Sequence, residues 1–135
     1  MSATVSEIAE GIKANLTQIQ GLRVVDYISD KLTPPVALVG IESVVYHRSF
    51  SGGDPVYTYT VSVIVARADT RIAQRKLDEF LSFDSTNSIR RAIERDTSLD
   101  GTAQTCIVDR GGNISTVAIN DVIYLSVDFT VTVHA

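Results

Sequence analysis

The residues best suited to metal or nucleophilic chemistry are few and far apart. The chain contains two histidines, His47 and His134, and one cysteine, Cys106. Zinc sites usually hold at least one pair of ligands within a few residues of each other, and no two of these three residues are that close. We therefore predict no metal site and no cofactor, and we interpret His47 as a partly exposed sheet residue.

Carboxylate pairs are the next candidates for chemistry. Asp26 with Asp30, or Asp109 with Asp121, could act as an acid and a base if the fold brought them together. Loops and strand edges of an acidic protein also supply such pairs by chance. The pairs alone therefore predict no catalytic residues.

A nucleophilic serine or a phosphate loop would need a glycine-based motif. The chain has no G-x-S-x-G sequence. Its glycine pairs, Gly52-Gly53 and Gly111-Gly112, are followed neither by Lys-Ser/Thr nor by a helix start, so both are better interpreted as hairpin tips. These observations favour a protein that is not an enzyme.

Four aromatic residues could stack on nucleic-acid bases: Tyr57, Tyr59, Tyr124 and Phe50. Their strands lack the interleaved Lys and Arg that would neutralise phosphates. Tyr57 and Tyr59 alternate in step with valines, so we interpret them as part of a core or an interface.

The stretch Tyr57 to Ala66 shows the clearest local pattern in the chain. Tyrosines and valines occupy every second position, which is typical of a half-buried strand. A helical pattern follows almost at once, and that helix would cover the apolar face of the strand. We expect the rest of the chain to pair with this strand or to cover it.

Three helices are predicted. Thr4 and Glu7 match a capping box, so the first helix starts near Val5, and its apolar stripe ends at Gly21. The other two helices start at these candidate caps: Asp69 or Thr70, and Ser85 or Thr86.

Short extended segments surround these helices. In chain order they are Leu22 to Ile28, Val36 to Ile41, Glu42 to Phe50, Ala103 to Val108, Ile114 to Ile119 and Val122 to Val133. The predicted turns are Ser51 to Pro55, Asp109 to Asn113 and Asn120-Asp121. The core face of the last strand is assigned Ile123, Leu125, Val127, Phe129, Val131 and Val133, with Tyr124 on the opposite face. Together these elements predict an α+β fold, a single mainly antiparallel or mixed β-sheet packed against two to three α-helices.

Length and composition indicate one globular domain over residues 1–135. A chain of this length buries enough surface for a core, and 44% hydrophobic with 21% charged residues is close to the globular average. The first residues lack the basic start and apolar run of a signal peptide, and no apolar run approaches the ~18 residues of a membrane helix. We expect neither secretion nor membrane insertion.

The net charge of −4 is unevenly distributed. Residues 67–95 carry seven of the twelve basic residues and five acids, so this segment is +2 and the rest of the chain is −6. An arginine-rich helical face could contact phosphates or an acidic partner, but the interleaved acids favour a solvated helix surface.

Four patterns occur together along the chain: Gly21 to Tyr27 after the first helix, Pro34-Pro35-Val36-Ala37, Val65 to Asp69 with Ala73-Gln74 and Leu77-Asp78, and the closing Phe129 to Val133. With these patterns the chain resembles, over nearly its whole length, the tail terminator proteins of long-tailed bacteriophages. Related neck and tail-completion subunits share this layout, so another station at the head-to-tail joint stays an alternative. A small-ligand binding module or an enzyme is the competing class.

The resemblance implies a structural virion protein of the tail or neck, assembled in the host cytoplasm. Such proteins form a six-membered ring on the last ring of the tail tube, end tail polymerisation and join the tail to the head. The implied partners are other copies of the chain, the tail tube protein and the head-to-tail connector or stopper protein. DNA would pass through the channel without specific binding, and no membrane partner is implied.

Two groups of residues are candidate contacts within such an assembly. The loop Phe50, Ser51, Gly52, Gly53, Asp54 and Pro55 combines an aromatic residue with a glycine tip, which suits docking to an adjoining tail or head protein. A channel that DNA traverses without sticking should not be lined by arginine. We therefore expect the arginine-bearing helices to lie away from the channel and the acids Asp54, Asp109 and Asp121 to line it.

Overall fold

The computed structural model describes residues 4–19, 21–25, 35–46, 56–68, 71–82, 88–96, 105–119 and 121–134. The helices are α1 (Val5–Leu16), α2 (Arg71–Leu81) and α3 (Ile89–Ile93), the last continued by a 3-10 turn over Glu94–Asp96. The strands are β1 (Arg23–Val25), β2 (Val36–Val45), β3 (Val56–Arg67), β4 (Thr105–Ile119) and β5 (Val122–His134).

The five strands form one mixed sheet in the order β1-β2-β3-β5-β4. β1 runs parallel to β2, and every other neighbouring pair is antiparallel. The three helices pack on this sheet, so the predicted α+β fold is confirmed for the described part of the chain. β3 lies at the centre, as its alternating sequence predicted.

The helices cover one face of the sheet, where the core lies. The strands contribute alternate residues of β3 and β5, among them Tyr59, Val61 and Phe129, which are almost fully buried. The helices contribute the stripes Ile8, Ile12 and Leu16; Ala73, Leu77 and Phe80; and Ile89, Ala92 and Ile93. Burying these apolar side chains is the main favourable contribution to folding.

The start of α1 is predicted correctly and its end is not. The Thr4 hydroxyl accepts from the Glu7 amide at 3.2 Å, and the Glu7 carboxylate accepts from the Thr4 amide at 3.4 Å. The helix ends at Leu16 rather than at Gly21, because the amides of residues 18 and 19 bond three residues back and tighten the chain into a turn. Gly21 has φ +82°, a conformation that favours glycine.

Two strands are longer than predicted. Val36 to Ile41 and the next residues as far as Val45 form one strand, β2, with an irregularity between Ile41 and Ser43. The end of the predicted segment Glu42 to Phe50 lies outside the described residues. Asp109 to Asn113, predicted as a turn, lies inside β4. The reason is β5, a continuous 13-residue partner, beside which β4 accommodates the extra residues as two irregularities. The predicted three-strand meander is therefore a two-strand hairpin, whose last described pair is Ile119 with Val122.

Two smaller differences concern the N-terminal cap of α3 and the buried face of β5. α3 is capped by Ser88, whose hydroxyl accepts from the Arg91 amide at 3.2 Å, not by Ser85 or Thr86. Ile123 is 56% exposed although it was assigned to the core, while Tyr124 is 8% exposed. The strand pairing of β3 with β5 ends at Tyr124, and beyond it the Ala68 amide donates to the Ile123 carbonyl, so Ile123 lies at the margin of the paired region.

Candidate assembly surface

The face of the sheet opposite the helices is polar along its middle. We call it the polar face and define it by half-buried residues of the two central strands: Thr58, Thr60 and Ser62 on β3, and Ser126, Asp128, Thr130 and Thr132 on β5. It has an apolar end, where Val36 and Ile64 face each other and are buried. A two-layer fold of this kind keeps one sheet face available for contacts.

Three carboxylates lie on the polar face and bond to its side chains. Glu42 accepts from the Thr60 hydroxyl at 3.2 Å, and Asp109 accepts from the Thr132 hydroxyl. Asp128 accepts from the side-chain amide nitrogen of Asn113 at 2.7 Å. Glu42 and Asp128 line a depression of about 650 Å³ together with one basic residue, Arg110. The centre of the polar face therefore carries more acid than base.

Both lateral strands of the sheet present apolar side chains to solvent. On β2 and just beyond it, Ile41, Val45 and Tyr46 are 45%, 48% and 68% exposed. On β4, Ile107 and Ile114 are 43% and 52% exposed. β1 pairs with β2 only from Val36 to Leu38. Edge strands with exposed apolar residues are surfaces that pair with another chain unless something blocks them.

Glu94 blocks the β4 edge at one point. Its Oε2 accepts a hydrogen bond from the Val108 amide at 3.0 Å, and its Oε1 accepts from Arg90 at 2.7 Å. Both carboxylate oxygens are therefore used within the molecule. Sequence reasoning missed this contact, although Arg90 and Glu94 stand four residues apart, the spacing of a helical ion pair.

The hairpin of β4 and β5 extends past the rest of the sheet. β3 pairs with β5 only as far as Tyr124, whereas β4 stays paired to the end, where Ile119 faces Val122. At the tip Asp121 is exposed and has φ +66°. We call residues 115–125 the hairpin arm. Asp121 is its only charged residue.

A second depression, of about 490 Å³, lies between the end of α1 and α3. We call it the arginine groove and define it by Gln18, Ile19, Arg90, Arg91, Ala92, Glu94 and Arg95. Arg95 donates to the Gln18 side-chain oxygen at 2.5 Å, which joins the two helical segments. With three arginines against one glutamate, the described residues that line the groove carry a net charge of +2.

The three expected channel acids do not form one described cluster. Asp109 lies on the polar face and Asp121 at the hairpin tip, about 10 residues of strand or roughly 30 Å apart. The same separation rules out an acid–base pair of Asp109 with Asp121. Asp54 and the whole candidate docking loop, Phe50 to Pro55, lie outside the described residues, as do Asp26, Asp30 and His47.

The described tyrosines do not form an exposed platform for base stacking. Tyr57 is 8% exposed and Tyr59 is fully buried, which confirms their interpretation as core residues. Tyr124, which was predicted on the opposite face of the last strand, is also only 8% exposed. Burial, with a smaller effect of nearby Tyr57, raises the pKa of Tyr59 to about 12. Its hydroxyl is therefore protonated at neutral pH and donates to the Val5 carbonyl.

Cys106 and His134 do not share a site. Cys106 pairs with Val133 and is fully buried in the core, while the neighbouring His134 is half-buried at the end of β5. Burial, with a smaller effect of the Glu94 carboxylate, raises the pKa of the Cys106 thiol to about 12. A thiol held neutral in this way is a poor nucleophile and a poor metal ligand.

The remaining features of the described residues concern metal ions, membranes and similarity to other proteins. No three His, Cys, Asp or Glu side chains within the described ranges are grouped so that they could hold a metal ion. None of the described helices is long and apolar enough to cross a bilayer. The chain matches no protein-family model and no curated protein sequence.

Proposed function

We propose that the protein is a structural subunit that assembles into a closed ring, of the kind that caps a bacteriophage tail tube, ends tail polymerisation and joins the tail to the head connector. The observation that carries this proposal is the pair of lateral strands with exposed apolar residues, Ile41 and Val45 on one side of the sheet and Ile107 and Ile114 on the other. The resemblance to tail terminators, based on sequence patterns, supplies the biological setting.

The position of these two surfaces favours a ring over a two-fold dimer. β2 and β4 are separated by two further strands, so they are different surfaces on opposite sides of one subunit. A contact between β2 of one copy and β4 of the next is heterologous, and heterologous contacts produce rings when the rotation closes. Pairing would also remove apolar side chains from water.

The distribution of charge supports an orientation within the ring. Glu42, Asp109 and Asp128 lie on the polar face, whereas the arginines of α2 and α3 belong to the helix layer on the other side of the sheet. We propose that the polar face lines the channel and the helix layer faces outward. DNA would then pass a surface that carries more acid than base, with Glu42 and Asp128 beside Arg110, and the excess of acid disfavours retention of phosphates.

Native mass spectrometry and electron microscopy of the purified protein test the ring. The expected result is a closed ring with a mass of six times the 14.6 kDa chain, either alone or on isolated tail tubes. A protein that stays monomeric alone and in the presence of tail tubes, and that melts higher with a small ligand, would instead belong to the competing class of ligand-binding modules.

A second measurement is needed to distinguish a tail terminator from the other neck and tail-completion subunits, because all of these assemble at the head-to-tail joint. A tail terminator should bind the end of a tail tube and stop its further growth when tube protein is added. Binding to the head connector without any effect on tube growth would assign the chain to the neck.

A further inference from the structure

We propose that Arg110 on β4 of one subunit forms an ion pair with Glu42 on β2 of the next copy in the ring. This inference rests on the proposed ring and names one of its contacts. The two residues have opposite charges, both are exposed, and they lie on the two lateral strands of the subunit. A contact between β4 and β2 of neighbouring copies therefore brings a cation and an anion to the same interface.

Arg110 has no ionic partner in the part of the chain that the structure describes. It faces Thr130 across the β4–β5 ladder, which places it on the polar face. The three carboxylates of that face bond to hydroxyl and amide groups, and none of them pairs with Arg110. A guanidinium has five N–H donors and binds carboxylates through two parallel hydrogen bonds. Arg110 can therefore bind a carboxylate from outside its own subunit.

Glu42 offers one carboxylate oxygen for such a contact. Its Oε2 accepts from the Thr60 hydroxyl at 3.2 Å, which holds the side chain on the polar face. Its Oε1 has no hydrogen-bond partner among the described residues. Because the Thr60 hydroxyl is neutral, this bond orients the carboxylate without cancelling its negative charge. The remaining oxygen can accept a charge-assisted hydrogen bond from a guanidinium.

The two side chains lie at the same level of the sheet. Arg110 faces Thr130 on β5, which in turn faces Thr60 on β3. Thr60 bonds Glu42 on β2. Three strand spacings of about 4.8 Å separate β2 from β4, so the two residues lie on opposite sides of one subunit. Rotation about an axis roughly along the strands brings these opposite sides together at this level.

Both strand edges are open where these residues lie. β1 covers β2 only from Val36 to Leu38, and Glu94 binds the β4 amide at Val108. Glu42 and Arg110 lie beyond these two contacts. Successive strands from β2 to β4 alternate in direction, so in a ring β4 of one copy runs antiparallel to β2 of the next. Opposite charges that face each other on antiparallel strands stabilise the pair, and like charges destabilise it.

The experiment measures, by native mass spectrometry, the protein concentration at which half of the subunits are assembled. We expect Arg110→Glu, and separately Glu42→Lys, to raise this concentration at least about tenfold, equivalent to about 1.4 kcal/mol, because each reversal brings like charges together. The double variant restores the attraction with opposite polarity and should assemble at close to the wild-type concentration.

Two charge reversals on α2 are the matched controls. Arg75→Glu and Asp78→Lys change exposed charges of the helix layer by the same amounts and should leave the half-assembly concentration unchanged. Equal effects of these controls would attribute the loss of assembly to net charge and would overturn the ion pair.

Each other outcome has a definite meaning. If wild type forms rings and both single reversals form them at the same concentration, the ion pair is wrong while the ring stands. If the double variant assembles as poorly as the single ones, the two residues do not face each other and the inference fails. If wild type forms no ring, the proposed function itself fails. If Arg110→Glu assembles normally but loses retention of duplex DNA that wild-type rings show, Arg110 contacts DNA and the inference is overturned.

Discussion

The hydroxyl of Tyr59, in the middle of the central strand β3, donates a hydrogen bond of 2.7 Å to the backbone carbonyl of Val5 in the first turn of α1. The two residues are 54 positions apart in the chain. Tyr59 is fully buried, so its ring fills the core while its polar end reaches the helix. This bond fixes where α1 starts on the sheet.

Replacing Tyr59 with phenylalanine should lower the free energy of unfolding by about 0.5–1.5 kcal/mol, because the ring stays and one hydrogen bond is lost. Urea unfolding measures this change. Tyr46→Phe, at a tyrosine that is 68% exposed, is the control and should change the midpoint very little. Equal effects of the two variants would show that the Val5 contact does not stabilise the fold.

Phe129 and Ile123 test a buried and an exposed position of β5. Phe129 is 2% exposed in the core, so Phe129→Ala should cost about 3–5 kcal/mol, a large part of the stability of an ordinary domain. Ile123 shares the alternation of Phe129 but is 56% exposed, and Ile123→Ala should change stability by about 0.5 kcal/mol or less. A thermal midpoint for Phe129→Ala within a degree or two of wild type would refute the core assignment.

Ile123 also shows which features of the fold could be predicted from the sequence and which could not. Alternation in β3 and β5 and the Thr4–Glu7 capping box are local patterns, and they predicted the central strands, the core face and the start of α1. Strand length and burial depend on neighbours instead. β4 continues through a turn-like sequence because β5 lies beside it, and Ile123 is exposed at the end of β5 where the ladder with β3 stops at Tyr124.

The candidate assembly surface likewise has some features that follow from local sequence patterns and others that depend on neighbouring elements. Asp109 and Asp121 were identified as exposed acids in hairpin sequences, and both are exposed. Their separation along β4 follows from the loss of the predicted turn, which no local pattern signalled. The link from Glu94 to Val108 joins a helical turn to a strand edge across 14 residues, and only the packing of α3 beside β4 creates it.

Gly111 and Gly112 form a matched pair for testing the core under β4. A Cβ added to Gly111 would lie 2.8 Å from Leu81 Cδ2 and 2.8 Å from Phe129 Cε1, whereas a Cβ on Gly112 would meet nothing within 4 Å. We expect Gly111→Ala to destabilise the protein by about 1–3 kcal/mol through overpacking. Gly112→Ala should be neutral or stabilising by up to about 1 kcal/mol, because it restricts the unfolded chain.

Denaturant midpoints of the two glycine variants, measured side by side, provide the check. Both replacements add the same methyl group to adjacent residues of one strand, so a general effect of alanine on β4 would appear in both. If Gly112→Ala were destabilised as much as Gly111→Ala, the close approach of Leu81 and Phe129 to Gly111 would not be the cause.

The raised pKa of the Cys106 thiol predicts that the folded protein becomes less stable at alkaline pH. In the folded protein, burial raises the pKa of its thiol from 9.0 to about 12. Between these values the unfolded chain loses the proton and the folded chain keeps it, so the unfolded state binds fewer protons and stability falls as pH rises. The contribution of Cys106 is complete below about pH 9 and is lost progressively between about pH 9 and pH 12.

Urea midpoints measured at intervals from pH 8 to pH 11 should therefore fall in wild type, and the fall should be shallower in Cys106→Ala. Tyr59 contributes in the same direction above pH 10, since burial raises its pKa from 10.0 to about 12. The folded thiol should also react with a disulfide reagent at pH 8 far more slowly than the urea-unfolded thiol. Rapid labelling of native protein would mean that Cys106 is not held in the core between β4 and the helices.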